Sequence, residues 1–192
     1  MRFSRILLLN WRNFGHVEVH LQNRAFLVGP NASGKSNFLD AFRFLRDITS
    51  PGGGFQKAVA ASDLSDGTLR LLGLLWALMD GSGPLLLEEP ELSLHSEIVQ
   101  RIPQMMLRVQ RGQKRVPRQV LMSTHSSDLL SDEGIAGDEV LLFQPREGGT
   151  EVRTGADIEE VRRLLETGLP PAEVVIPYTR PESAEQLSLF SD

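Results

Sequence analysis

Residues 29–36 read Gly-Pro-Asn-Ala-Ser-Gly-Lys-Ser, a G-x-x-x-x-G-K-S run that follows directly on the apolar residues Ala25, Phe26, Leu27 and Val28. A strand, a glycine-bounded loop and then a helix is the setting a phosphate-binding loop requires. Gly29 and Gly34 let the backbone curl so that successive N–H groups face an anion, Lys35 neutralises charge, and the Ser36 hydroxyl suits Mg²⁺. The composition after Lys35 predicts a helix, whose positive dipole end adds to the same site. The expected phosphate-binding set is therefore Gly29, Pro30, Asn31, Ala32, Ser33, Gly34, Lys35 and Ser36, with Asn37 at the start of the helix.

Three later features bear on what happens to a bound phosphate. The apolar run Leu85, Leu86, Leu87 delivers Glu88 and Glu89 to the end of a strand, and the carboxyl ends of strands are where open α/β sheets bind ligands. There one carboxylate can reach Mg²⁺ and the next can polarise an attacking water, which suits an in-line attack on a γ-phosphoryl group. The competing reading is a solvated acidic turn, although an apolar strand is a costly place to end in two unpaired acids. His125, in Ser-Thr-His-Ser after the predicted strand 119–122, can hydrogen-bond a γ-phosphate oxygen or simply cap the next helix. The run Leu64, Ser65, Asp66, Gly67, Thr68 opens a helix with free N–H groups, an anion site that is weak as an isolated string because many helix caps look alike.

The elements that must position these groups follow from hydrophobic patterning. Residues 3–9 and 16–21 predict two strands around a turn, and 25–28 the strand feeding the loop. The first helix should stop near Thr49, before Ser-Pro-Gly-Gly-Gly at 50–54. Residues 68–79 are apolar on nearly every face and predict a core helix. Residues 95–111 predict a helix bent or broken at Pro103. A strand over 119–122, a hairpin over 139–143 and 151–153, and an amphipathic helix over 157–166 complete the series. Alternating strands and helices imply an α/β fold, a mostly parallel sheet flanked by helices with an antiparallel N-terminal portion. The expected organisation is one domain over 1–170 and an extended C-terminal tail over 171–192.

The 192 residues are 41% hydrophobic and 23% charged, ordinary for a globular domain, and no apolar run approaches the length of a bilayer span. The absence of cysteine leaves no disulfide framework or thiolate metal site and suits a cytoplasmic location. A net charge of −5 argues against binding nucleic acid over the whole surface. Locally, Arg101, Arg108, Arg111, Lys114, Arg115 and Arg118 lie in a stretch without acidic residues, 98–127, which suits either a nucleic-acid backbone or a solvated helix end.

In this order the motifs resemble the ABC-type ATPase heads of the RecF, SMC and OLD families. The closer resemblance is to bacterial AAA-family ATPases of the RecF-like and OLD-like branch, on Ser-Asp-Gly-Thr-Leu-Arg at 65–70, Glu-Glu-Pro-Glu-Leu-Ser-Leu-His at 88–95 and Ser-Thr-His-Ser at 123–126. Asn-Trp-Arg-Asn-Phe at 10–14 is similar to the N-terminal element of this branch, which sits beside the adenine. The resemblance implies a P-loop NTPase with ATP and Mg²⁺ as cofactors. It implies a metal site at Ser36 and Glu88, a general base at Glu89 and a switch histidine at His125. It further implies that ATP is sandwiched in a homodimer, where Ser65 and Gly67 of one copy meet the γ-phosphate held by the other.

The chain departs from that family in one interval. Only residues 37–64 separate Ser36 from Ser65, where relatives carry a helical lobe and a glutamine loop, so the lobe is expected to be reduced or missing and Gln56 is the lone candidate glutamine. Glu88 stands where ABC ATPases more usually have aspartate. The chain has no room for the nuclease domain of full OLD proteins. The expected function is thus ATP hydrolysis in DNA repair or maintenance, or in defence against phage. The alternative is a nucleotide-binding interaction module with an effector protein partner and little hydrolysis.

Overall fold

The computed structural model describes residues 2–49, 66–79, 83–92, 94–112 and 118–179. An antiparallel hairpin, β1 (Arg5–Trp11) and β2 (Phe14–His20), precedes the buried strand β3 (Arg24–Val28) and helix α1 (Lys35–Thr49). Helix α2 (Asp66–Met79) leads to β4 (Leu85–Glu88), α3 (Ser96–Val99), α4 (Ile102–Gly112) and β5 (Val120–Thr124). A second hairpin, β6 (Val140–Arg146) and β7 (Gly149–Thr154), is followed by α5 (Glu159–Glu166) and α6 (Pro171–Val175).

The main sheet has the order β4-β5-β3-β6-β7, parallel except for the β6–β7 pair. It is the α/β sheet the patterning predicts, with the antiparallel β1–β2 pair as a separate two-stranded sheet. Alternation along each central strand divides the interior in two. Phe26, Val28, Val120, Met122, Val140 and Leu142 face one core with Leu74, Leu78, Ile102 and Met106. Ala25, Leu27, Leu121, Leu141 and Phe143 face the other, with Phe38, Leu39 and Phe42 of α1 and Ile6, Leu8, Phe14, Val17 and Val19 of the hairpin. A strand buried on both faces favours a continuous apolar run, as at 25–28 of β3, and the buried Arg24 at its start pairs with Glu139 at 2.6 Å. Phe14, Phe38 and Phe143 meet edge to face, a favoured arrangement of aromatic quadrupoles.

Strand order explains the site. With β4, β5 and β3 side by side and parallel, the loops that leave their carboxyl ends emerge together, and Val28 pairs with Thr124 while Glu88 pairs with Ser123.

Three expectations need correction. Helix α2 is not sheathed on all sides: Leu74 and Leu78, one turn apart, are buried, whereas Trp76 is 71% exposed. The break expected near Pro103 falls at residues 100–101, and Pro103 is the second residue of α4, where an N–H has no helical partner to lose. The tail does not begin at 171: Pro171 starts α6, and Val174 and Val175 are buried in the first core. Gln56 and the rest of 50–65 lie outside the described residues, as do 180–192.

Candidate functional site

The loop after β3 is shaped by local constraints. Gly29 lies so close to β6 that a Cβ would stand 2.6 Å from the Phe143 carbonyl oxygen. Ala32 and Gly34 have φ of 62° and 94°, which turns the loop back on itself. The Ser33 N–H donates to the Pro30 oxygen at 3.2 Å, and Phe38 N–H to Gly34 oxygen at 2.9 Å starts the helix. Lys35 is buried, and its ammonium donates to the carbonyls of Gly29 and Pro30, both at 2.9 Å. Burial pushes its pKa below the usual lysine range, against the opposing fields of Glu89 and Glu91. The Ser33 hydroxyl is buried without a partner among the described residues.

The hairpin turn braces the other end of this loop. Arg12 and Asn13 form the turn between Trp11 and Phe14, with Arg12 at φ 52°. Asn13 donates to the Thr150 hydroxyl at 2.7 Å and accepts from the Asn37 amide at 2.8 Å, while Trp11 donates to the Asn37 carbonyl at 2.9 Å. Arg12 binds Asn37 and pairs with Asp40 at 3.1 Å.

The loops after β4 and β5 form the facing wall. Glu88 hydrogen-bonds the Ser36 hydroxyl and pairs with Arg43 at 2.7 Å; Arg43 also holds Asp40 at 2.8 Å. Arg43, then Ser36, holds the Glu88 carboxyl below the usual carboxylate range. Glu89 has φ 42°, a left-handed backbone that disfavours a residue with a side chain. Its N–H donates to the Ser123 oxygen at 3.0 Å, and its carboxylate lies 3.0 Å from His125 Nδ1. Glu91 is buried, accepts from the Thr124 hydroxyl at 2.5 Å, and leaves its second oxygen without a hydrogen-bond partner among the described residues.

Between the walls lies a cleft of about 570 Å³ lined by Asn31, Ala32, Ser33, Gly34, Lys35, Ser36, Asn37, Glu88, Glu89, Leu92 and Ser123. Gly29 and Pro30 enter through the carbonyls that hold Lys35, and His125 through Glu89. Of the two residues expected to act across a dimer, Gly67 lies in the first turn of α2, and Ser65 is outside the described residues. Among the basic residues, Arg101, Arg108 and Arg111 are exposed. Arg118 instead donates to the carbonyls of Gly83, at 2.6 Å, and of Ala77, so its guanidinium serves structure; Lys114 and Arg115 are outside the described residues.

These residues fit a nucleotide with its metal. Ser36 and Glu88 present oxygen donors side by side, as Mg²⁺ prefers. Among the described residues no three His, Cys, Asp or Glu side chains converge, which suits a metal completed by phosphate oxygens and water and not by a protein cage. Sequence reasoning missed Arg43 and Glu91. Arg43 stands two turns beyond Ser36 on the same helix face, a detectable spacing; the burial of Glu91 depends on the distant Thr124 and had no local signal.

The matches to known proteins cover different shares of the chain. The solved SMC head domain from Thermotoga maritima superposes with a TM-score of 0.55 at 14% identity, covering 80% of this chain and 99% of that one, which shows a shared fold. Over 58 residues, 30% of this chain, the sequence is 45% identical to "Endonuclease GajA" of Bacillus cereus (strain VD045). The match covers about 10% of that relative's length. The model of the family described as "AAA domain, putative AbiEii toxin, Type IV TA system" matches residues 24–58 and 52–132, more than half of the chain. With that match over more than half of its length, the chain belongs to this AAA domain family, and it shares the fold of the SMC head domain.

Proposed function

We propose that the chain binds ATP with Mg²⁺ in the cleft between β3, β4 and β5 and hydrolyses it to ADP and phosphate. One observation carries this reading: the phosphate loop, the Ser36–Glu88 pair and the Glu89–His125 pair open on one side of a single sheet. The backbone N–H groups of 31–36 and the Lys35 ammonium hold the phosphates. Ser36 and Glu88 would hold Mg²⁺, which when bound neutralises phosphate charge. Glu89 accepts the proton of a water whose oxygen bonds to the γ-phosphorus as the bond to the bridging oxygen breaks and ADP leaves. His125, hydrogen-bonded to Glu89, keeps that carboxylate in place and offers a contact to the γ-phosphate.

Two copies enclose each nucleotide in this proposal, with Ser65 and Gly67 of one meeting the phosphates held by the other. The endonuclease relative and the toxin-system description of the family favour a role in defence against phage over general DNA repair. Exposed Arg101, Arg108 and Arg111 are the part of the basic stretch that would meet nucleic acid.

A single-turnover assay with a Lys35→Ala control tests hydrolysis: phosphate release above the control is expected, and its absence sinks the reading. ATP-dependent dimerisation of Glu89→Gln, followed by light scattering, tests the sandwich; a monomer at saturating ATP removes it. A nucleotide-binding module with little turnover has one observation in its favour, the occupation of Glu88 by Arg43. Binding without phosphate release would select it.

A further inference from the structure

Glu91 is 8% exposed, yet one carboxylate oxygen meets a single hydroxyl and the other has no hydrogen-bond partner among the described residues, only the field of the Lys35 ammonium. A half-satisfied buried acid is destabilising relative to an apolar side chain of similar size, so its presence asks for a use. The use is visible in the chain of bonds it begins. The Thr124 hydroxyl, at the buried end of β5, has one proton and donates it to Glu91, which leaves its lone pairs to accept the Ser126 N–H at 3.0 Å. Thr124 and Ser126 flank His125, so this bracket fixes the backbone on both sides of the imidazole. On the opposite loop Glu91 is two residues from Glu89, the carboxylate that His125 meets.

We propose that Glu91 is a positioning residue: through Thr124 it clamps the loop bearing His125 onto the loop bearing Glu89. The proposal rests on the hydrolytic reading above and adds a residue to it. Three bonds stitch the two loops together, from Glu89 N–H to Ser123 oxygen, from Thr124 to Glu91 and between His125 and Glu89. The third is exposed, with His125 at 49% and Glu89 at 31%, and in water such a contact holds only where both ends are already in place. The buried Thr124–Glu91 bond is shielded from water and can do the placing.

The test is steady-state ATP hydrolysis together with amide hydrogen exchange at Ser126, in the full chain. Glu91→Ala should lower kcat roughly tenfold to a hundredfold with KM for ATP little changed, as loss of a hydrogen bond to a charged group implies. It should also speed exchange of the Ser126 amide about tenfold or more. Glu91→Gln retains an acceptor for Thr124 and should stay within about threefold of the parent in both readouts. Thr124→Val should copy Glu91→Ala, Thr124→Ser should restore function, and the double variant Glu91→Ala with Thr124→Val should be no worse than either single. If Glu91→Ala does not fold, the Thr124 pair carries the test alone. Unchanged kcat and unchanged exchange in Thr124→Val, a defect in Glu91→Gln equal to that in Glu91→Ala, or additive losses in the double variant would each overturn the clamp. Should the parent chain hydrolyse no ATP, the hydrolytic reading falls, and the Ser126 exchange pattern alone still decides for or against the clamp.

Discussion

The two walls of the cleft are built by opposite means. The wall from 29–37 is mostly backbone: its geometry follows from positive φ at Ala32 and Gly34, from the glycine pressed against Phe143, and from a lysine held by carbonyls of its own loop. The wall from 88–91 and 123–126 is mostly side chain, held by Thr124–Glu91, His125–Glu89 and Arg43–Glu88 across separations of 33 to 45 residues. A backbone site is fixed once the local chain is folded and can grip an anion with little adjustment. A side-chain site depends on several distant groups at once, and each of its carboxylates has a neighbour that can let go. Under the proposed function, binding belongs to the first kind of wall and turnover to the second.

The sharpest way to break that division is Glu89→Gln. It should lower kcat roughly a hundredfold to ten-thousandfold, as removal of a general base does, while ATP affinity by calorimetry stays near that of the parent. A parallel loss of affinity would show that the walls do not divide the labour. Lys35→Ala is the converse, with ATP binding weakened about a hundredfold through loss of the one charged group of the backbone wall. Binding within threefold of the parent would mean that the N–H groups suffice.

Gly29→Ala should destabilise the fold by about 1–3 kcal/mol in urea unfolding, because the added Cβ meets the Phe143 backbone and Cβ, which β6 holds rigidly. No loss would mean that the loop and β6 can separate. The smallest effect belongs to Arg43→Ala, below about 1 kcal/mol because the pair with Glu88 is partly exposed. Its sign with pH follows from Glu88, whose folded pKa is depressed. The pair stabilises fully above the ordinary carboxylate range and loses that contribution as pH falls through the lowered pKa. The difference between Arg43→Ala and its parent should therefore be present at neutral pH and vanish in strong acid; a difference that persists there would assign Arg43 to packing.

The same division explains what the sequence made legible. A backbone site occupies one contiguous stretch, so 29–36 could be read directly, along with the strand that precedes it and the helix that follows. Apolar runs at 85–87 and 120–122 located β4 and β5, because consecutive apolar residues of that length, bounded by turn signals, suit strands of a parallel sheet covered by helices. Arg43 was hidden because a charged residue on an amphipathic helix looks solvated until a partner from another strand arrives. Glu91 was hidden because nothing local distinguishes a buried glutamate from an exposed one. Helix α6 was taken for tail since Pro170 and Pro171 signal a break, when Pro171 in fact occupies a first-turn position and Val174 and Val175 supply the apolar face.

The left-handed backbone at Glu89 has a consequence for how such a chain would drift. Glycine or asparagine would sit there with less strain, so a copy relieved of any need for a carboxylate at that point would gain stability by mutating to either. Glutamate is the conformationally poorer choice, and under the proposed hydrolysis its presence there trades stability for chemistry. On that proposal the residue at 89 serves as a sequence-readable gauge: glutamate where the site works, glycine or asparagine where it has been retired.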